Sequence, residues 1–214
     1  KIVGELLLKS SGKVRVSRVD KKQRSRNPTA PFTTSTLQQE AVRKLGFTTK
    51  GTMMTAQQLY EGISINEGTV GLITYMRTDS MSLSGEATSQ IRKYLESNYT
   101  KDYFPQKAIG YKTKAKNAQE AHEAIRPTNI ERTPQSLRPY LTDQQFKLYE
   151  IIWKRTLACQ MSPAIFDAVS IDLEVGQGES IFRASGQTLK FPGFMSVYLE
   201  DDDDLIQTRE CIHV

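Results

Sequence analysis

The sequence predicts an α+β protein of more than one domain, in which a mainly helical domain (35–161) is inserted between two pieces of a β-rich domain (1–34 and 162–214). Three observations carry this reading. Across the middle of the chain apolar residues recur every three or four positions, the spacing of one helix face. After Ser162-Pro163 the period drops to two, with Val169, Ile171, Leu173 and Val175 alternating with Ser170, Asp172 and Glu174. Prolines interrupt the chain at both crossings, at Pro28 and Pro31 on the way in and Pro163 on the way out, and each removes a donor and restrains its predecessor. A domain entered and left through such segments is able to swing as a lid.

The first β piece rests on Val14, Val16 and Val19. Between Lys13 and Arg26 seven Lys or Arg face the single Asp20, a charge run that fits a solvated sheet edge or a nucleic-acid contact. The chain opens on Lys1-Ile2-Val3-Gly4 without an initiator Met and is read as an excised piece of a longer protein. Ser35 with Gln38 forms a capping-box pattern and Gly46 a stop, which predicts a helix over about 36–45. Thr55 with Gln58, and Gly62, predict a second over 56–61. Ala87, Ile91 and Leu95 predict a third over about 84–98, and 99–116, with five lysines, reads as loop. Thr133-Pro134 starts a short helix and Thr142 with Gln145 a longer one to about 160, whose Phe146, Tyr149, Trp153 and Leu157 form a packing stripe. Beyond it come strands at 169–175, 179–185, 187–191 and 195–199, with a turn at Gly176 and Gly178.

Composition narrows the function classes. The 214 residues are long enough for real cores, and 38% hydrophobic with 25% charged residues is ordinary for a globular protein. No apolar run is long enough to span a bilayer and no signal peptide is visible, so the expected compartment is the cytoplasm. A net charge of +5 favours a polyanionic partner without demanding one. Cys159 and Cys211 lack metal-ligand spacing, which argues against a zinc site and a disulfide framework. The run from Glu200 to Asp204 has no framing element and reads as a solvated loop rather than a metal site.

The stretch Gly71-Leu72-Ile73-Thr74-Tyr75-Met76-Arg77-Thr78-Asp79-Ser80 carries the chemistry. Read as a strand, it puts Tyr75, Arg77 and Asp79 on one side and Thr74, Met76 and Thr78 on the other. That row suits work on a phosphodiester. A phenol titrating near pH ~10 needs nearby positive charge to act as a nucleophile, and Arg77 would supply it while gripping a phosphate oxygen, with Asp79 orienting the guanidinium. From the triad alone, a half-buried tyrosine beside a solvated ion pair is the more ordinary reading. His122, whose imidazole donates in either protonation state near neutrality, is open in the same way between site residue and capping residue.

The literal residues add a resemblance. GLITYMRTDS (71–80) resembles the active-site strand of type IA DNA topoisomerases, and PFTTSTLQQEA (31–41), MMTAQQLYEGI (53–63) and NAQEAHEAIRPT (117–128) resemble three further segments of that family in the same order. The likeness covers about 27–166 firmly and the flanks weakly. It implies that Tyr75 attacks a single-strand phosphodiester to form a 5′-phosphotyrosyl link and reseals it without ATP, relaxing negatively supercoiled DNA. It implies catalytic roles for Arg77 and His122, and supporting ones for Thr74, Asp79 and Arg126. It also implies magnesium held by an acidic domain that normally precedes these segments and has no counterpart here, so this stretch alone is expected to be inactive. The implied partners are single-stranded and negatively supercoiled DNA and the remaining domains of the same chain, in a cytoplasmic, nucleoid-associated setting.

Two other function classes also use such residues. In a non-enzymatic single-stranded nucleic-acid-binding module, Tyr75 and Arg77 merely stack and grip phosphate. A tyrosine recombinase or a replication-initiator nuclease needs several Arg and His, or a metal-binding His cluster, and two histidines cannot make the latter.

Overall fold

The computed structural model describes residues 14–111, 123–175 and 180–199, with both helices and antiparallel sheet, an α+β fold. The chain divides into two compact units. The described parts of the first are 14–26, 163–192 and Leu199; those of the second are 27–111, 123–162 and Gly193–Tyr198.

The first unit is a three-stranded antiparallel sheet ordered β1-β4-β5, from Val14–Arg26, Ala164–Val175 and Ser180–Phe191. Its register pairs Val16 with Leu173 and Val19 with Ile171, so apolar side chains share one face. Arg18 lies opposite Asp172, and Asp172 opposite Arg183, so charges share the other. A shift between Val16 and Arg18 keeps both sets in phase across the bulge. β5 runs unbroken through Gly186, which pairs with Val169, where the sequence suggested two strands. The turn expected at Gly176 and Gly178 and the acidic run at 200–204 lie outside the described residues.

The second unit is mainly helical. α1 (Thr34–Leu45) starts one residue pair earlier than its sequence signal, because Thr33 and Thr36 form the capping box in place of Ser35 and Gln38. It stops at Gly46, whose φ of 66° is left-handed and whose N–H reaches back to the last carbonyls. α2 (Thr49–Glu61) is about two turns longer than expected: Thr48 takes the cap, accepting the Gly51 N–H at 3.0 Å, and Thr55 is buried inside the helix. A small hairpin unforeseen from the sequence, β2 (Ile63–Ile65) with β3 (Gly68–Val70), follows. α3 (Gly85–Asn98, capped by Ser84) falls where its apolar spacing put it, and α4 (Pro134–Leu137, capped by Thr133) and α5 (Asp143–Ala158, with Thr142 and Gln145 as its box) fall where the capping signals put them.

α1 packs on α2, and both pack on α5, which supplies Leu148, Tyr149, Ile152, Trp153 and Leu157 to the core. Burying each such side chain is worth about 1.5–3 kcal/mol. Tyr149 and Trp153 also satisfy their polar ends on backbone carbonyls, of Arg132 at 2.6 Å and Ile130 at 2.9 Å, so these two rings are core, while Phe146 of the same stripe is half-buried beneath the Arg138 guanidinium.

Two segments fall in a different unit from the one the sequence assigned. Residues 27–34, expected in the first β piece, belong here: Phe32 is buried and accepts the Ile125 N–H at 2.8 Å. The strand expected at 195–199 is instead a 3₁₀ turn, Gly193–Ser196, also in this unit. Phe194 and Tyr198 are buried, and Tyr198 donates its hydroxyl to the Glu40 carboxylate that Arg43 and Lys44 also hold. Aromatic rings with a polar anchor outweigh the weak β-propensity of so short a run. No helix among the described residues is long and apolar enough to cross a membrane.

Candidate active site

The stretch 71–80 is extended but forms no strand. Among the described residues its only bridge joins Ile73 to Pro127, and no ladder continues from it there. Other groups fix it. Gly71 passes so close to α2 that a Cβ there would lie 2.6 Å from the Tyr60 carbonyl oxygen, a position that only glycine tolerates. The next N–H, of Leu72, donates to the Leu59 carbonyl at 2.7 Å, and the Thr128 hydroxyl donates to the Gly71 carbonyl at 2.7 Å. Thr74 is tied on both sides: its N–H reaches the Arg126 carbonyl at 2.9 Å, its hydroxyl donates to the Ala124 carbonyl at 2.8 Å, and that oxygen accepts the Arg126 N–H at 3.0 Å. Beyond Tyr75, the Thr34 hydroxyl donates to the Met76 carbonyl at 2.7 Å and accepts the Thr78 N–H at 2.8 Å.

These ties hold an alternating stretch. Leu72, Ile73 and Met76 are buried, while Tyr75, Arg77 and Asp79 are exposed. Tyr75 keeps 45% of its surface open and its ring meets Tyr60 of α2 edge-on, with centroids 5.3 Å apart. The ring is thus steered while much of the residue stays open to solvent. No ion pair joins Arg77 to Asp79, so the orienting role expected of Asp79 does not appear; among the described residues the Arg77 guanidinium has no ion-pair partner.

Thr74 and Arg126 are brought together, but through backbone. The Arg126 guanidinium is spent inside the protein, on Glu123 at 2.6 and 3.2 Å and on the Pro127 carbonyl at 2.9 Å. Glu123, to which the sequence assigned no role, also accepts the Ser84 N–H at 2.6 Å, at the start of α3. Burial would raise its carboxyl, but the bonds from Ser84 and Arg126 outweigh that and hold it below the usual carboxylate range. His122 lies outside the described residues. Thr34, Tyr60, Gly71, Glu123 and Thr128 all shape the site and were missed as site residues. Thr34 and Thr128 sit inside the quoted motifs, yet their partners are tens of residues away and leave no local signal.

Among the described residues no group of three or more His, Cys, Asp or Glu converges, so the magnesium implied by the resemblance finds no ligand set there. What remains is a phenol on a firmly fixed backbone with an open cation two residues away, a pair able to bind and attack a phosphate ester.

Comparison with known proteins agrees with that chemistry. A family model described as DNA topoisomerase matches residues 3–210. DNA topoisomerase 1 of Xylella fastidiosa (strain Temecula1) is 53% identical over 196 residues, covering 91% of this chain and 24% of that protein. DNA topoisomerase 1 of Rickettsia felis is 54% identical over 189 residues, covering 88% and 24%. The solved structure of full-length topoisomerase I from Thermotoga maritima superposes with a TM-score of 0.79 at 37% identity, over 94% of this chain and 31% of that one. The chain spans about a quarter of the length of the curated relatives it matches.

Proposed function

The chain belongs to the DNA topoisomerase family, and on that premise we propose that it carries the tyrosine with which a whole enzyme cuts and reseals one DNA strand. The observation that supports this most is the exposed Tyr75 phenol on a backbone fixed from both sides, beside the open Arg77. The Tyr75 oxygen attacks phosphorus, its proton is lost, and the 3′ oxygen of the neighbouring nucleotide leaves and takes up a proton. The product is a 5′-phosphotyrosyl bond; attack by the freed 3′ hydroxyl reverses the step, so the phosphoester bond energy is conserved and no ATP is consumed. Arg77 neutralises the charge that builds on the phosphate oxygens, and His122 assists it. Thr74 and Arg126 act as positioning residues through the backbone they fix, and Asp79 is a neighbour without a partner to orient.

In this reading the helical unit is the swinging gate and the sheet belongs to the arch that carries it. The substrate is single-stranded DNA within negatively supercoiled DNA, in the cytoplasm, and magnesium serves the whole enzyme through ligands outside this sequence. The 214 residues alone leave supercoiled plasmid unrelaxed, with or without magnesium. The test uses the full-length enzyme. Tyr75→Phe keeps the ring contact with Tyr60 and removes the nucleophile, so the covalent protein–DNA adduct on a labelled oligonucleotide disappears while noncovalent binding persists. An adduct in the Phe variant transfers the nucleophile's role to another residue; no adduct in the parent enzyme favours a purely binding module.

A further inference from the structure

Beside Arg77 a shallow groove of about 640 Å³ runs along α2, lined by Lys50, Met53, Met54, Gln57, Gln58 and Arg77. Residues 50, 53, 54 and 57 follow helical spacing and so share one face of α2, and Tyr60, the partner of the Tyr75 ring, lies one turn further on. The groove therefore starts at the helix that steers the nucleophile. Its chemistry is specific. A cation marks each side, Lys50 and Arg77, and among the described residues neither has an ion-pair partner. The lining contains no carboxylate. Met54 is 56% exposed, a large apolar side chain left open on the helix that also carries the exposed Tyr60. Two amides complete the set: Gln58 accepts from Gln145 at 2.9 Å, and Gln57 donates to Glu61.

The charged face of the sheet offers a useful contrast. Its concavity holds more cations, Arg18, Lys22, Arg24 and Arg183, but Asp20 and Asp172 stand among them and pair with Lys22 at 2.7 Å and Arg183 at 2.6 Å. Charge there is spent internally; along α2 it is open.

Resting on the reading of Tyr75 given above, we propose that the α2 groove between Lys50 and Arg77 is a nucleotide subsite that holds the first bases on the 3′ side of the cut, the DNA end that stays attached to Tyr75. Lys50 and Arg77 meet successive phosphates, the Met53 and Met54 thioethers lie against a base face, and the glutamine amides face the base edge. Thioether contact and amide bonding tolerate different bases, so the subsite grips with little sequence preference. Groove and tyrosine belong to the same compact unit, so the attached end travels with both when that unit moves. The covalent bond alone leaves that end free to turn; a seated base keeps its phosphorus in line for the returning 3′ hydroxyl.

The test uses full-length enzyme and oligonucleotides with an abasic site at either of the two positions 3′ of the cut or, as a control, at the corresponding positions 5′ of it. Removing a 3′ base slows adduct formation and religation by about 3- to 10-fold in the parent enzyme, the loss of one thioether–base contact. Met54→Glu, which adds a carboxylate to the groove at an exposed position, slows the intact substrate by a similar factor and is indifferent to the missing base. Val42→Glu, an equally exposed site on α1, changes neither. A loss of thermal stability in Met54→Glu directs the same comparison to Met54→Ala. Equal penalties for the missing 3′ base in parent and groove variants overturn the subsite while Tyr75 keeps its adduct, and an apolar protein segment as the true occupant gives that same result. Absence of any adduct in the parent enzyme instead removes the premise.

Discussion

Two extended stretches of this chain are held in opposite ways. β1 pairs along its whole length with β4 through backbone bonds, and nearly all its side chains are open to solvent. The stretch 71–80 has almost no ladder, yet it alternates buried and exposed side chains and is fixed by the hydroxyls of Thr34, Thr74 and Thr128. A ladder uses groups that every non-proline residue owns, so it tolerates sequence change. Hydroxyl ties depend on particular side chains, and they leave the segment free of a neighbouring strand that would cover the phenol. Tyr75 is thus both immobile at its backbone and open at its ring.

This contrast sets an order of expected effects. Thr34→Val keeps the shape and strips the hydroxyl, leaving the Met76 carbonyl and the Thr78 N–H short of a partner. We expect unit two to lose about 2–4 kcal/mol of stability, read by denaturant titration of the fluorescence of Trp153, the only tryptophan. A loss under about 0.5 kcal/mol breaks the comparison.

Glu123→Gln weakens the tie that joins α3 to the 123–128 segment, and its effect is sharpened by pH. The folded carboxyl lies below its unfolded value near ~4.3, so its contribution is complete above that value and is lost as pH falls through the lower folded one. Parent and variant therefore differ in unfolding midpoint at pH 7, and the gap narrows as the solution is made acid below the unfolded value. A gap that survives in acid assigns the effect to packing instead.

Ser17→Ala should matter least. Its hydroxyl donates to the Asp172 carbonyl at 3.1 Å on an exposed strand whose ladder is intact without it. A change within about 0.5 kcal/mol, measured by the same denaturation with circular dichroism, fits the contrast; a cost near that of Thr34→Val abolishes it.

What the sequence disclosed follows the same division. Helix starts at Thr133 and Thr142 are local devices, a capping oxygen within three residues of its donor, and they were legible. So was the alternation around Tyr75, because it follows from an extended backbone whether or not a ladder forms. The ties themselves were hidden, since Thr34 and Thr74 meet partners 42 and 50 residues away. The second cap fell to Thr48 rather than to the expected Thr55, because both are threonines and only packing decides between them. The fate of 193–198 was equally nonlocal: its β-like pattern gives way to the buried positions of Phe194 and Tyr198.

That last segment limits how the molecule can be taken apart. The chain changes unit after Arg26, Ser162, Pro192 and Tyr198, so the helical unit is discontinuous. An excision of 27–162 as one continuous piece leaves behind Phe194 and Tyr198, opens the space they fill and strips Glu40 of its phenolic donor. In shuffling or grafting between relatives, the helical part is therefore not a cassette with two ends; it moves intact only when the six-residue clip from beyond the sheet moves with it.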